Sequence, residues 1–183
     1  MSEELLVQHC SPTIIGLKTG NLFSCRFDSN EQKYRTLRNL NQSLSKKGLR
    51  IIPLRQHKGN TLLYLYRPSR LKKDLQNDMA DKLLKNYGYS CGNVNLCVAQ
   101  LIRRLRDSED FPHEIGLFLG YPPEDVCGFI ENKAQCCKCV GCWKVYGNPE
   151  KAQATFEKYR HCTELCCSLV AKGCSVERLA ACY

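Results

Sequence analysis

Four thiols stand within one short run, Cys136-Cys137-Lys138-Cys139-Val140-Gly141-Cys142-Trp143. The pair Cys139 and Cys142 has the CxxC spacing that turns two thiolates toward one metal, and Gly141 relieves the crowding of that turn. A tetrahedral zinc or an iron–sulfur cluster needs about four ligands. Cys162 and Cys166 lie one helical turn apart further on, so Cys139, Cys142, Cys162 and Cys166 form a candidate metal set; Cys167 and Cys174 lie close by in sequence. Two other readings compete. Fourteen cysteines make some close spacings accidental, and Cys166 falls on an apolar helical face where a buried free thiol is expected. A redox or regulatory pair is the third reading, although no strand–CxxC–helix unit of the thioredoxin kind is visible.

His113 and Glu114 in the run FPHEIG are the next chemical candidates. Adjacent residues do not share a helical face, so they make a poor ligand pair. His113 could act as a lone base in a small enzyme, with Tyr146 as a further weak catalytic candidate. Glu114 could instead satisfy N–H groups at a helix start. Tyr121, Trp143 and Tyr146 could stack on a ligand or partner, or simply fill a core. Arg103, Arg104 and Arg106 could contact phosphate, against the plainer reading of a solvated helical face. No GxxxxGK[ST], GxGxxG or HExxH motif occurs, and no recognised serine-nucleophile motif accompanies the histidines.

The elements that must position these residues can be read from periodicity and turn chemistry. Residues 2–10 predict a short helix stopped by Ser11 and Pro12, followed by a strand over 13–18 and a turn at 19–21. A second extended run covers 22–27. Ser29 with Gln32 predicts a capping box, then a helix with Tyr34, Leu37, Leu40 and Leu44 on one face and Gly48 as its stop. Residues 49–54 and 61–66 read as a hairpin around His57-Lys58-Gly59-Asn60, and Pro68 ends it. Leu71, Leu75, Met79 and Leu83 mark one or two helices; Val94, Val98, Leu101, Ile102 and Leu105 mark another, with its arginines facing water. Two prolines open a helix at 123–131, where a missing N–H costs little. Gly116 and Gly120 predict tight turning or close backbone approach. A strand is expected near 143–146, then a long helix capped by Asn148, begun at Pro149, burying Ala152, Phe156, Tyr159, Cys166 and Val170, and closed at Gly173. Ser175 caps a last short helix.

These elements predict an α+β fold: a small antiparallel or mixed sheet, mainly from the N-terminal third, packed against several helices. A chain of 183 residues with 43% hydrophobic and 25% charged composition is long enough for a real core, and nothing in it reads as a linker. One domain over 1–183 is expected, basic in its first half and cysteine-rich in its second. The formal charge of +9 is concentrated in residues 18–86, which hold 16 Lys or Arg against 5 Asp or Glu. Such a field favours a nucleic acid, an acidic protein or a phosphorylated ligand, or serves only solubility. No apolar run is long enough to span a membrane, and the opening MSEELLVQHC does not read as a secretion signal. The cysteines are therefore expected as thiols in a reducing cytoplasm.

Several stretches together resemble a bacterial family, common in clostridia, catalogued as domain-of-unknown-function family 3793. They are SPTIIGLKTGNLFSC at 11–25, LLYLYRP at 62–68, FPHEIGLFLGYPPEDVCGFIENK at 111–133, GCWKVYG at 141–147 and FEKYRHCTELCCSLVAKG at 156–173. The resemblance implies a single-domain cytosolic protein and supplies no activity or cofactor. It directs attention to His113, Glu114, Tyr121, Pro122, Pro123, Glu124, Asp125, Trp143, Lys144 and Tyr146, and to Cys162. The CCKC run is richer in cysteine than the family pattern, which speaks against a family-wide metal centre there.

The leading expectation is a non-enzymatic binding or adaptor protein, with a protein partner or an anionic ligand. Its binding residues would come from Tyr121, Glu124, Asp125, Trp143, Lys144, Arg103, Arg104 and Arg106. The alternatives are a cysteine-ligated zinc or iron–sulfur protein with a structural or electron-transfer role, and a small enzyme with its site around His113.

Overall fold

The computed structural model describes residues 2–108 and 110–180. They form two compact units: Met1–Ser69 with Tyr159–Tyr183, and Arg70–Lys158.

The first unit opens with helix α1, Glu3–Ile14, whose start is capped by the Ser2 hydroxyl accepting from the Leu5 N–H at 3.2 Å. The helix does not stop at Ser11 and Pro12. Pro12 sits in its last turn, where one backbone bond is lost and the chain can still coil. The run expected as a strand over 13–18 is therefore the end of α1 and the turn after it. Its β-branched residues are explained by burial: Ile14 joins Leu6, Val7 and Cys10 on one fully buried helical stripe. Arg67 completes this end. Its Nε donates to the Thr13 carbonyl at 2.8 Å, one Nη to the Ile14 carbonyl, and the other to the Lys47 carbonyl at 3.1 Å. A buried cation thus satisfies carbonyls that a helix end leaves unpaired.

Three strands follow, β1 (Gly20–Arg26), β2 (Arg50–His57) and β3 (Asn60–Tyr66), in the antiparallel order β1-β3-β2. Period-two alternation puts Phe23, Cys25, Ile51, Leu63 and Leu65 into the core. Tyr64 and Tyr66 stack at 4.6 Å, the arrangement of ring neighbours two residues apart along one strand face. Helix α2, Asn30–Leu44, lies between β1 and β2. The Ser29 hydroxyl caps it as expected, accepting from the Gln32 N–H, whereas the Gln32 amide oxygen accepts from the Asp28 N–H, one residue before the cap, where a capping box would use that of Ser29. Tyr34 is 64% exposed, so the buried stripe uses Leu37 and Leu44 without it. Asn41 pairs with both backbone groups of Ile51, at 2.8 and 3.0 Å, and so occupies the open edge of β2. The later part of the long helix α8, Pro149–Ala171, and the short α9, Val176–Leu179, add Cys162, Cys166, Val176 and Leu179 to this core. Ser175 stands at the cap position, but Glu3 accepts the Val176 N–H.

The second unit is mainly helical: α3 (Pro68–Leu75, begun in the first unit), α4 (Asp78–Asn86), α5 (Val94–Asp107), α6 (Ile115–Phe118), α7 (Pro123–Glu131) and the first turns of α8. A two-stranded ribbon pairs β4 (Cys139–Val140) with β5 (Lys144–Val145). In α4 the buried face is Ala80 and Leu84, one residue on from the expected Met79 and Leu83, because Asn77 caps the helix and sets its phase. Gly116 behaves as expected of a close approach, since a Cβ there would stand 2.8 Å from Val126. Among the described residues no helix is long and apolar enough to cross a membrane.

Candidate functional site

A groove of about 250 Å³ opens in the second unit, lined in part by Tyr87, Arg104, Ser108, Phe111, His113 and Glu114. The sequence that builds it is short-range. Gly88 takes a left-handed backbone (φ 79°) to stop α4, which sets Tyr87 and Tyr89 on either side of it. Helix α5 carries Arg104 on the flank of its buried Val98-Leu101-Leu105 stripe. Pro112 and the turn that leads into α6 then deliver His113 and Glu114.

Glu114 does not serve as a helix cap by its side chain. It is 1% exposed, and its Oε1 accepts from Arg104 Nε at 2.7 Å and from the Tyr89 hydroxyl at 3.0 Å. Burial and the neighbouring Glu114 charge raise the Tyr89 phenol above its ordinary value, so it stays a proton donor to Glu114. The Arg104 guanidinium lies 5.1 Å from the Tyr87 ring and 5.8 Å from the Tyr89 ring. Arg104 was expected in water with Arg103 and Arg106; only the latter two are exposed, Arg106 pairing with Asp107. His113 is exposed and meets Phe129 edge-on at 5.0 Å. Tyr146 does not line the groove.

Tyr121, Asp125, Trp143, Lys144 and Tyr146 come together elsewhere in the same unit. Asp125, 3% exposed, is the hub: Oδ1 accepts from the Tyr146 and Gly147 N–H groups, both at 2.7 Å, and Oδ2 from Trp143 Nε1 at 2.6 Å. Trp143 stacks on Tyr121 at 4.9 Å and meets Phe156 edge-on at 4.5 Å. The Tyr121 hydroxyl donates to the Cys142 carbonyl, and Lys144 Nζ to the Ala134 carbonyl. Apart from the Tyr146 hydroxyl, these polar groups are bonded within the same unit, and those of Asp125 pin the ribbon to α7. Of the candidates Tyr121, Glu124, Asp125, Trp143, Lys144 and Tyr146, Glu124 alone is exposed. The Tyr146 hydroxyl is buried without a partner among the described residues, and burial, with Cys137 and Cys136 near, raises its phenol.

The four proposed metal ligands divide between the units. Cys139 and Cys142 sit on the ribbon of the second, half-buried and exposed. Cys162 and Cys166 are buried in the core of the first, where burial pushes the Cys162 thiol up to about 12 and raises Cys166. Among the described residues, no group of three or more His, Cys, Asp or Glu is gathered so as to hold a metal ion.

Tyr87 on the groove's lining, and Tyr89, the buried donor to Glu114, were not legible as site residues in the sequence. The signal available was Tyr-Gly-Tyr directly after a helical pattern, since a left-handed glycine there turns flanking rings back toward the fold. No curated protein and no solved structure matches the chain. One family model does, over residues 6–180: the chain belongs to the family described as a protein of unknown function, DUF3793.

Proposed function

We propose that the protein is a non-enzymatic binding protein whose partner is an anionic macromolecule, engaged through the first unit. The observation that supports this is the placement of charge. The first unit holds 14 Lys or Arg against 6 Asp or Glu, whereas the second holds 13 against 12. Three of the fourteen, Lys18, Lys33 and Arg67, are buried and serve the fold. Arg26, Arg35, Arg38, Lys46 and Lys58 are exposed, and among the described residues none of these five sits within ion-pair distance of a carboxylate. Arg35, Arg38 and Lys46 follow one another along α2 and the turn after it. Unpaired surface cations of one sign raise the local concentration of anions and speed their arrival.

The test is capture from native extract by the wild-type chain and by an Arg35→Glu/Arg38→Glu variant. Wild type should retain a specific partner in a salt-sensitive manner, and the variant should lose it while melting normally. Nuclease treatment of the extract separates a nucleic acid from an acidic protein. Retention of nothing above background, or equal retention by the variant, overturns the proposal.

A further inference from the structure

Arg104 is held in a way that charge balance alone does not require. Its Nε is fixed by Glu114, itself buried and fixed a second time by the Tyr89 hydroxyl. Its plane lies near two tyrosine rings. Yet the side chain remains 38% exposed and lines the groove. Among the described residues its two Nη groups make no hydrogen bond, so four N–H donors remain on a guanidinium whose orientation is already set. A surface arginine that merely neutralised Glu114 would be free to swing. This one has its rotamer entropy removed before any ligand arrives, the condition under which a fork of parallel donors binds an oxyanion well.

We propose that this groove is a binding site for a small organic oxyanion, a carboxylate or a phosphate ester, received end-on by the two Nη groups of Arg104. Glu114 and Tyr89 are positioning residues that aim the fork. Tyr87 and Phe111 supply apolar wall, and the exposed His113 and Ser108 stand at the rim to donate further hydrogen bonds. The Glu114 charge does not repel the ligand, because Arg104 neutralises it. Asp110, also on the lining, favours a ligand of low charge over a polyanion. The groove volume of about 250 Å³ lies just below the usual range of small-molecule pockets and suits a small ligand. The site is built from residues of the second unit and does not depend on the partner proposed for the first.

The test is a titration of the full-length protein with inorganic phosphate and, separately, with succinate, followed by NMR of the arginine side-chain nitrogens. One or both anions should shift the Arg104 Nη signals saturably while those of Arg103 stay fixed. Saturation by one anion alone assigns the ligand class. Arg104→Lys keeps the positive charge but loses the fork, and should weaken binding about ten-fold or more. Tyr87→Ala, which leaves the Glu114 contact in place, should weaken it less. Absence of any saturable Arg104 shift in the wild-type protein overturns the proposal, and needs no variant to fold. Wild-type affinity in Arg104→Lys overturns it as well.

Discussion

Asp125 is a single carboxylate that fixes three donors on a segment with very little regular structure of its own. The ribbon from Cys139 to Val145 has two paired residues on each side. Such a ribbon is not stable by its own ladder; its geometry is imposed through Trp143 and the Tyr146 and Gly147 amides. Asp125→Asn keeps the shape but turns an amide N–H toward one of these donors, leaving a buried donor unpaired. The expected loss is about 2–4 kcal/mol, measured by denaturant unfolding with Trp143, the only tryptophan, as the fluorescent reporter. A loss within about 0.5 kcal/mol, the usual size of a surface change, would show that the hub is incidental. In sequence, Asp125 stood only among residues to which a family resemblance pointed. Its role was illegible because an acid after two prolines reads equally well as a helix N-terminal charge. Arg104 was illegible for a similar reason: three arginines in four positions look like a solvated face until the buried carboxylate ten residues away is located.

At the scale of elements, helix α8 shows how cysteine is used here. Its Cys162 and Cys166, with Cys10 of α1 and Cys25 of β1, close the first core as small apolar groups. Burial raises the thiol in all four, Cys162 to about 12. In the unfolded chain these thiols ionise from the ordinary value of 9.0. The folded state therefore holds protons that the unfolded state releases, and stability falls as pH rises. Under reducing conditions the denaturant midpoint should be steady below about pH 8.5, the thiol range, and then decline as the pH climbs toward the Cys162 value. A midpoint constant across that window would contradict the burial of these thiols as neutral groups. The elements themselves were largely legible. Capping at Ser29, the hairpin at 57–60 and the proline-opened α7 were set by local chemistry, which survives in any tertiary context. The end of α1 was not, because the residue that caps its last carbonyls, those of Thr13 and Ile14, is Arg67, more than fifty positions away. A β-branched run such as Thr13-Ile14-Ile15 fits a strand and a buried helix end alike, and only the remote guanidinium decides between them.

Over the whole molecule, charge and sulfur are distributed differently. The excess positive charge belongs to the first unit, whereas the exposed thiols Cys136 and Cys142 belong to the second, one just before its ribbon and one in the turn of it. The α+β character expected from the sequence is present, with its sheet drawn from residues 20–66. What composition could not show was which basic residues are consumed by the fold. The most direct measurement is hydrogen exchange of the protein with and without a polyglutamate peptide, repeated at rising salt. Protection should appear along α2 and the following turn, residues 30–47, and should fade as salt screens the contact. Protection confined to residues 103–106 of α5, with α2 unprotected, or none anywhere, would contradict the assignment of the anionic macromolecule to the first unit.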